Sequence, residues 1–206
     1  MTNQIFSCQC IPLELVRLTG PVGDVFTSYS ERVAAGTLPK AALNKREFCR
    51  LSVVFDRLTG FDTLLDIGTG MAQLATAARA SGQFLRVVAA DAKLHSSVQN
   101  LEDLETVEIN LTGIPDPNLR ADVVVCQGSI LAQRGQTGLA AAIQNLSFLA
   151  RQRLIVIVPY NESPLPKGRV QSFSISRLMA LFPAGRITLL SEAATIPWAM
   201  IEVDMV

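Results

Sequence analysis

Residues 64–72 read Leu-Leu-Asp-Ile-Gly-Thr-Gly-Met-Ala, and no other stretch constrains the chain as strongly. An apolar run ending in an acid and two closely spaced glycines predicts a strand that turns sharply into a helix. Glycine at 68 and 70 permits backbone angles closed to other residues and lets the main chain approach a ligand. The helix expected from about Ala72 to Ala80 then aims its N-terminal N–H groups at the same spot. Read alone, the loop serves equally well as a cofactor cradle or as a tight turn.

Two details separate the candidate ligands. A dinucleotide fingerprint G-x-G-x-x-G needs a third glycine at 73, where this chain has Gln73. Asp66 lies two residues ahead of Gly68, and a carboxylate there suits a cationic amino group better than a pyrophosphate. Asp91 then closes a second apolar run, Phe84 to Ala90, where an acid can accept both ribose hydroxyls. These residues admit a ribose and give no support to a phosphate.

With these residues in place, the chain resembles the class I S-adenosylmethionine-dependent methyltransferases. Their first motif is an apolar pair, an acid, an apolar residue and G-x-G-x-G; Leu64 to Gly70 match it, and the last glycine is replaced by Ala72. The resemblance implies that Asp66, Gly68 and Gly70 hold the methionine part of S-adenosyl-L-methionine and that Asp91 holds the ribose, with Thr69, Ala92, Leu111 and Gln127 also in the cofactor site. A further acid of the family, hydrogen-bonded to the adenine amino group, falls at Asn110, ahead of Leu111 and Pro115, with the amide oxygen as acceptor. Residues 121–126 resemble the fourth strand, with Gln127 at its tip. A branched residue at 68 is expected to abolish cofactor binding while the protein stays folded.

Strand and helix signals alternate along residues 60–206, as a mainly parallel sheet requires. Strands are predicted at 62–67, 84–90, 105–110, 121–126 and 153–159. Leu139, Ile143, Leu146 and Ala150 fall at helical spacing in a crossover helix. Ser174 is placed to cap a helix ended by Pro183 and Gly185. Two last strands, 186–190 and 198–206, form a hairpin around Ile196-Pro197. The expected fold is an α/β, Rossmann-like doubly wound sheet of seven strands, with an antiparallel C-terminal pair and a helical N-terminal extension, residues 1–59. In that extension Phe48, Leu51, Phe55 and Leu58 make one apolar stripe on a helix from about Ala41 to Thr59. Residues 24–35 resemble the N-terminal helix that small-molecule methyltransferases fold over the cofactor, with Tyr29 a candidate cap of the pocket.

Composition sets the class. A chain of 206 residues, 49% of them apolar, suits one well-buried domain, and 18 basic against 18 acidic residues give no surface built to neutralise nucleic acid. No run approaches the roughly 20 apolar residues of a membrane span, and Met1 to Pro12 lacks a signal-peptide pattern, so a cytoplasmic location is expected. Four cysteines, Cys8, Cys10, Cys49 and Cys126, lack C-x-x-C spacing and share one histidine, His95, so no metal site is expected. Cys126 is read as core at the pocket floor.

The substrate side is thinner. Open parallel sheets bind ligands at the carboxyl ends of their strands, which places Gln127, Gly128 and Ser129, then Tyr160, Asn161 and Glu162, toward an acceptor. Gly168 to Ser174 resembles the G-H-V-x-x-F-S pattern of small-molecule and glycan-modifying methyltransferases, with Arg169 in place of His. A fixed cation at 169 suits a carboxylate or phosphate. No catalytic set is defined; Tyr29, Tyr160, Glu162 and Arg169 are the candidates. The expected activity is methyl transfer to a small-molecule or sugar-type acceptor, with no nucleic acid and no assigned oligomeric state. An inactive cofactor-binding partner protein and a nicotinamide-dependent oxidoreductase are the alternatives.

Overall fold

The structure, a computed structural model, describes residues 13–17, 24–36, 45–160, 172–192 and 195–205. Along the chain run β1 (Leu13–Arg17), α1 (Asp24–Ala34), α2 (Lys45–Phe55), β2 (Thr63–Ile67), α3 (Gln73–Ser81) and β3 (Arg86–Asp91). After them come α4 (Ser96–Gln99), β4 (Glu105–Glu108), β5 (Ala121–Gln127), α5 (Gly135–Leu149), β6 (Ala150–Pro159), α6 (Ile175–Leu181), β7 (Arg186–Glu192) and β8 (Thr195–Asp204).

The strands form one sheet in the order β1-β7-β8-β6-β5-β2-β3-β4. β8 runs antiparallel to both β6 and β7, and the other pairs are parallel. Helices cover both faces, which is why the central strands read as unbroken apolar runs rather than alternating ones. Leu64, Val87, Ala89, Val123, Val125 and Ile155 face one core with Leu51, Val54 and Leu58. Their neighbours Leu65, Val88, Ala90, Val124 and Val156 face the other, with Leu139, Leu146 and Leu178. The last residues of the N-terminal segment therefore share the core of residues 60–206.

The seven expected strands are present, with an eighth where only helix was expected. β1 pairs with β7 from Leu13↔Ile187 to Arg17↔Ser191, adding a parallel edge strand to the hairpin. The hairpin turn also moves. Ile196 and Pro197 lie inside β8, and the ladder shifts register between Leu190 and Glu192, the kind of irregularity at which a residue without an N–H is accommodated in a sheet. α2 is shorter than predicted, and among its residues whose side chains are described Arg50, Leu51, Ser52 and Val54 are buried and Phe55 is partly buried. β4 stops at Glu108, so Asn110 belongs to a turn and not to a strand. Ser174 accepts the Arg177 N–H at 3.3 Å and caps α6 as expected.

Candidate functional site

β2 is flanked by β3 on one side and β5 on the other, so the chain reverses its direction of winding there. Such a switch point leaves a crevice at the carboxyl ends of the strands, and the loops after β2, β3, β4 and β5 converge on it. The loop after β2 is tightly tied down. The N–H groups of Gly68 and Thr69 both donate to the Ala90 carbonyl, at 2.8 and 3.1 Å, and the Ala72 N–H donates to the Thr69 carbonyl.

The two glycines differ in what they do. Both have positive φ, +74° at Gly68 and +54° at Gly70. A Cβ at Gly68 would lie 2.3 Å from Ser129 Oγ and 2.4 Å from the Gln127 carbonyl oxygen, whereas one at Gly70 would meet nothing within 4 Å. Gly68 thus permits the β2 loop to pack on the loop after β5. This corrects the expectation that a branched residue there would block only the ligand. Ala72 departs from glycine through its backbone and not by crowding: it is the one left-handed non-glycine among the described residues, at φ 58°. That conformation costs an alanine about 1–2 kcal/mol. Burial of its methyl returns about 0.8 kcal/mol, and glycine would lose roughly 0.5–1 kcal/mol more chain entropy on folding, so alanine is tolerated.

Asp66 is fully buried and lines neither of the cavities described below. Its carboxylate accepts the Thr69 hydroxyl at 2.7 Å, the Gln127 side-chain amide at 2.8 Å and the Ala75 N–H in the first turn of α3. The expected direct contact with a ligand amino group is therefore replaced by an internal one. Asp66 fixes Thr69 and Gln127, which do reach a cavity. Burial pushes its pKa from 3.8 up to about 6, against the lowering effect of those hydrogen bonds, with the nearby Asp91 charge adding to the rise.

Since the folded state binds this proton more tightly than the unfolded chain, the group costs stability above pH 6. That cost fades as pH falls through 6 toward 4. A shift of about two units corresponds to roughly 3 kcal/mol. Asp66→Asn is expected to raise Tm at pH 8 by about 5 °C or more, by about half as much at pH 5, and to leave it nearly unchanged at about pH 3.5. Parallel Tm–pH curves for the two proteins would contradict this account.

The larger cavity, about 470 Å³, is lined by the tips of β2 to β5: Ile67, Asp91, Ala92, Glu108 to Leu111, Ser129, Ala132 and Gln133. Asp91 and Glu108 are its two acidic lining residues. One of its oxygens accepts the Ala92 N–H at 2.7 Å and the other accepts the Gly70 N–H at 3.1 Å, so it also ties the two loops together. Asn110 lines the same cavity, but its oxygen accepts both the N–H and the hydroxyl of Thr112. It is thus engaged within the turn and not presented as the expected acceptor.

The smaller cavity, about 210 Å³, lies on the other side of the loop. It is lined by Arg50, Gly68, Thr69, Gly70, Gln127, Gly128, Leu131, Ile157 and Trp198. Arg50 is only 7% exposed, and its guanidinium lies 4.1 Å from the centroid of the Trp198 ring. Stacking on an indole holds a cation in place at the wall of this cavity. The site is electrically polarised, with a cation at one end and the Asp91 and Glu108 carboxylates at the other. Arg50 was not among the sequence candidates. Its one signal was a charge four residues before Val54, on the buried face of α2.

The sequence matches no protein-family model and no curated protein. Among solved structures, the methyltransferase domain of a bacterial Hen1 is similar over 76% of this chain and 97% of its own, at 14% identity and a TM-score of 0.62. Human N-acetylserotonin methyltransferase in complex with SAM is similar over 75% of this chain and 50% of its own, at 14% identity and a TM-score of 0.56. The N-terminal domain of EvdMO1 with SAH bound is similar over 76% and 79%, at 16% identity and a TM-score of 0.55. The chain has the class I methyltransferase fold.

Within this methyltransferase fold the remaining candidates are unevenly placed. Gln127 and Gly128 line the smaller cavity and Ser129 the larger. Tyr160 bridges to Phe173, packs against the core on the α5 side and is not among the described lining residues of either cavity. Cys126 is fully buried, lines neither cavity, and has its pKa pushed up to about 12 by that burial, so it is core and not pocket floor. His95 caps α4 through the Ser97 N–H. Asn161, Glu162, residues 168–171 including Arg169, Cys8 and Cys10 lie outside the described residues, as does the side chain of Tyr29. The helix that carries Tyr29 is anchored by Arg32 to Asp103, ahead of β4, at the opposite end of the sheet from the cavities. Among the described residues no helix is long and apolar enough to cross a membrane.

Proposed function

We propose that this protein binds S-adenosylmethionine across the two cavities and transfers its methyl group to a small-molecule or sugar-type acceptor. The observation that carries the proposal is the state of the loop's N–H groups. Those of Gly68, Thr69, Gly70 and Ala72 are engaged by Ala90, Asp91 and Thr69, and that of Ala75 by Asp66. A pyrophosphate needs such groups free and a positive surrounding. Here it would meet two carboxylates instead, which disfavours a nicotinamide dinucleotide.

The residues fit the sulfonium cofactor. Asp91 is placed to accept ribose hydroxyls with the lone pairs its loop contacts leave unused, and the positive charge of Arg50 at the wall of the smaller cavity favours the carboxylate end of the cofactor there. Gln127 and Thr69, held by Asp66, shape the floor between them. When bound, S-adenosylmethionine supplies an electrophilic methyl group. The chain's own contribution is to orient an acceptor along the sulfur–carbon axis and to exclude water, so catalysis by positioning needs no dedicated base. Glu162 and Arg169 remain proposed acceptor contacts, and from the N-terminal segment α2 contributes Arg50 to the wall of the smaller cavity.

Incubating the protein with methyl-tritiated S-adenosylmethionine and a desalted cell extract, with and without its low-molecular-mass fraction, tests the acceptor class. Label in small molecules supports the proposal. Label only in RNA or protein would overturn the small-molecule acceptor, and bound cofactor with no transfer would favour a non-catalytic binding protein.

A further inference from the structure

We propose that Asn110 offers its amide N–H groups, and not its oxygen, to the purine in the larger cavity. The site then reads a ring nitrogen of the base and leaves the 6-amino group unread by this side chain. The inference rests on the adenosine end of the cofactor occupying that cavity, as argued above.

The orientation of the Asn110 amide follows from chemistry. A backbone N–H can only meet an acceptor, so the atom 3.0 Å from the Thr112 nitrogen must be the oxygen, Oδ1. The Thr112 hydroxyl lies 2.9 Å from the same oxygen. A carbonyl oxygen has two lone pairs, and both are engaged here. No acceptor among the described residues meets Nδ2, which is the amide atom left to face a ligand.

Turning the amide over would lose both Thr112 hydrogen bonds and set Nδ2 against the Thr112 N–H, and the backbone that holds these groups together is fixed from outside. Asn145, on α5, donates from Nδ2 to the carbonyls of Leu111 and Gly113, at 2.7 Å each. The Gly113 N–H closes the turn onto the Asn110 carbonyl at 3.1 Å. Glu108, on β4, accepts the Leu94 N–H and the Gln99 amide, both on Oε1, at 3.2 and 3.4 Å. Adenine carries one donor group, the 6-amino, and three ring-nitrogen acceptors. A side chain that can only donate pairs with the acceptors.

The test is calorimetric titration of the full chain with S-adenosylhomocysteine and with its analogue lacking the 6-amino group. The unaltered protein is expected to bind the two within about threefold of each other. Asn110→Asp keeps one oxygen for Thr112 and adds a second as an acceptor, so it is expected to favour the adenosyl ligand by about tenfold or more. Both ligands carry the same charge, so the added carboxylate cancels from that ratio. Thr112→Val, which removes one donor from Oδ1, is expected to move the ratio in the same direction and serves if Asn110→Asp does not fold. A tenfold or larger preference for the adenosyl ligand in the unaltered protein would overturn the inference, as would an unchanged ratio in the folded variants. Failure of the unaltered protein to bind either ligand would instead overturn the cofactor assignment, and the inference with it.

Discussion

Gly68→Val is expected to lower Tm by on the order of 10 °C, while Gly70→Ala lowers it by only about 2–4 °C. A side chain at Gly68 incurs two costs at once. It must hold φ near +74°, and it must displace the Gln127 carbonyl and Ser129. The first costs about 1–3 kcal/mol and the second a similar amount, because backbone cannot step aside as a flexible side chain can. At Gly70 only the conformational cost applies, since the space there is open. Thermal unfolding followed by circular dichroism separates the two effects. Equal shifts for both variants would show that Gly68 is not a packing point between the loops.

Asp91→Ala is expected to weaken binding of S-adenosylhomocysteine by roughly ten- to a hundredfold. Ribose hydroxyls left in the cavity without an acceptor cost about 1–3 kcal/mol, and the same substitution removes the tie between Gly70 and β3. The two contributions separate in Asp91→Asn, whose remaining oxygen still accepts one N–H but cannot accept both ribose hydroxyls while doing so. Asn is expected to recover most of any lost Tm and little of the lost affinity. Affinity unchanged in Asp91→Ala would move the ribose contact to another residue.

The central sheet was legible because parallel strands buried on both faces leave continuous apolar runs, as in 84–90 and 153–159. β1 was not. Leu13 to Arg17 is a five-residue edge strand with Glu14 and Arg17 inside it, and its pairing with β7 lies more than 170 residues away in sequence. Edge strands are short and charged for good physical reasons, and the same traits hide them from pattern reading.

The loop residues were legible as a group, but their individual tasks were not. Asp66 read as a ligand contact because its depth depends on Gln127, which reaches it across the β2–β5 pairing. Gly68 read as room for a ligand because its neighbour is the turn after β5. The direction of the Asn110 amide is set by Thr112, two residues on, and by Asn145 on a different element. Arg50 escaped notice because the stripe was drawn through the apolar positions Phe48, Leu51, Phe55 and Leu58, whereas the buried residues of α2 include Arg50 itself beside Leu51 and Val54, which places the cation at the cavity.

Isothermal titration of the purified full chain with S-adenosylhomocysteine and, separately, with NAD tests the central claim most directly. The engaged loop N–H groups, the Asp91 carboxylate at the larger cavity and the Arg50 cation at the smaller predict saturable one-to-one binding of S-adenosylhomocysteine and no measurable binding of NAD. Saturable binding of NAD with none of S-adenosylhomocysteine would contradict it.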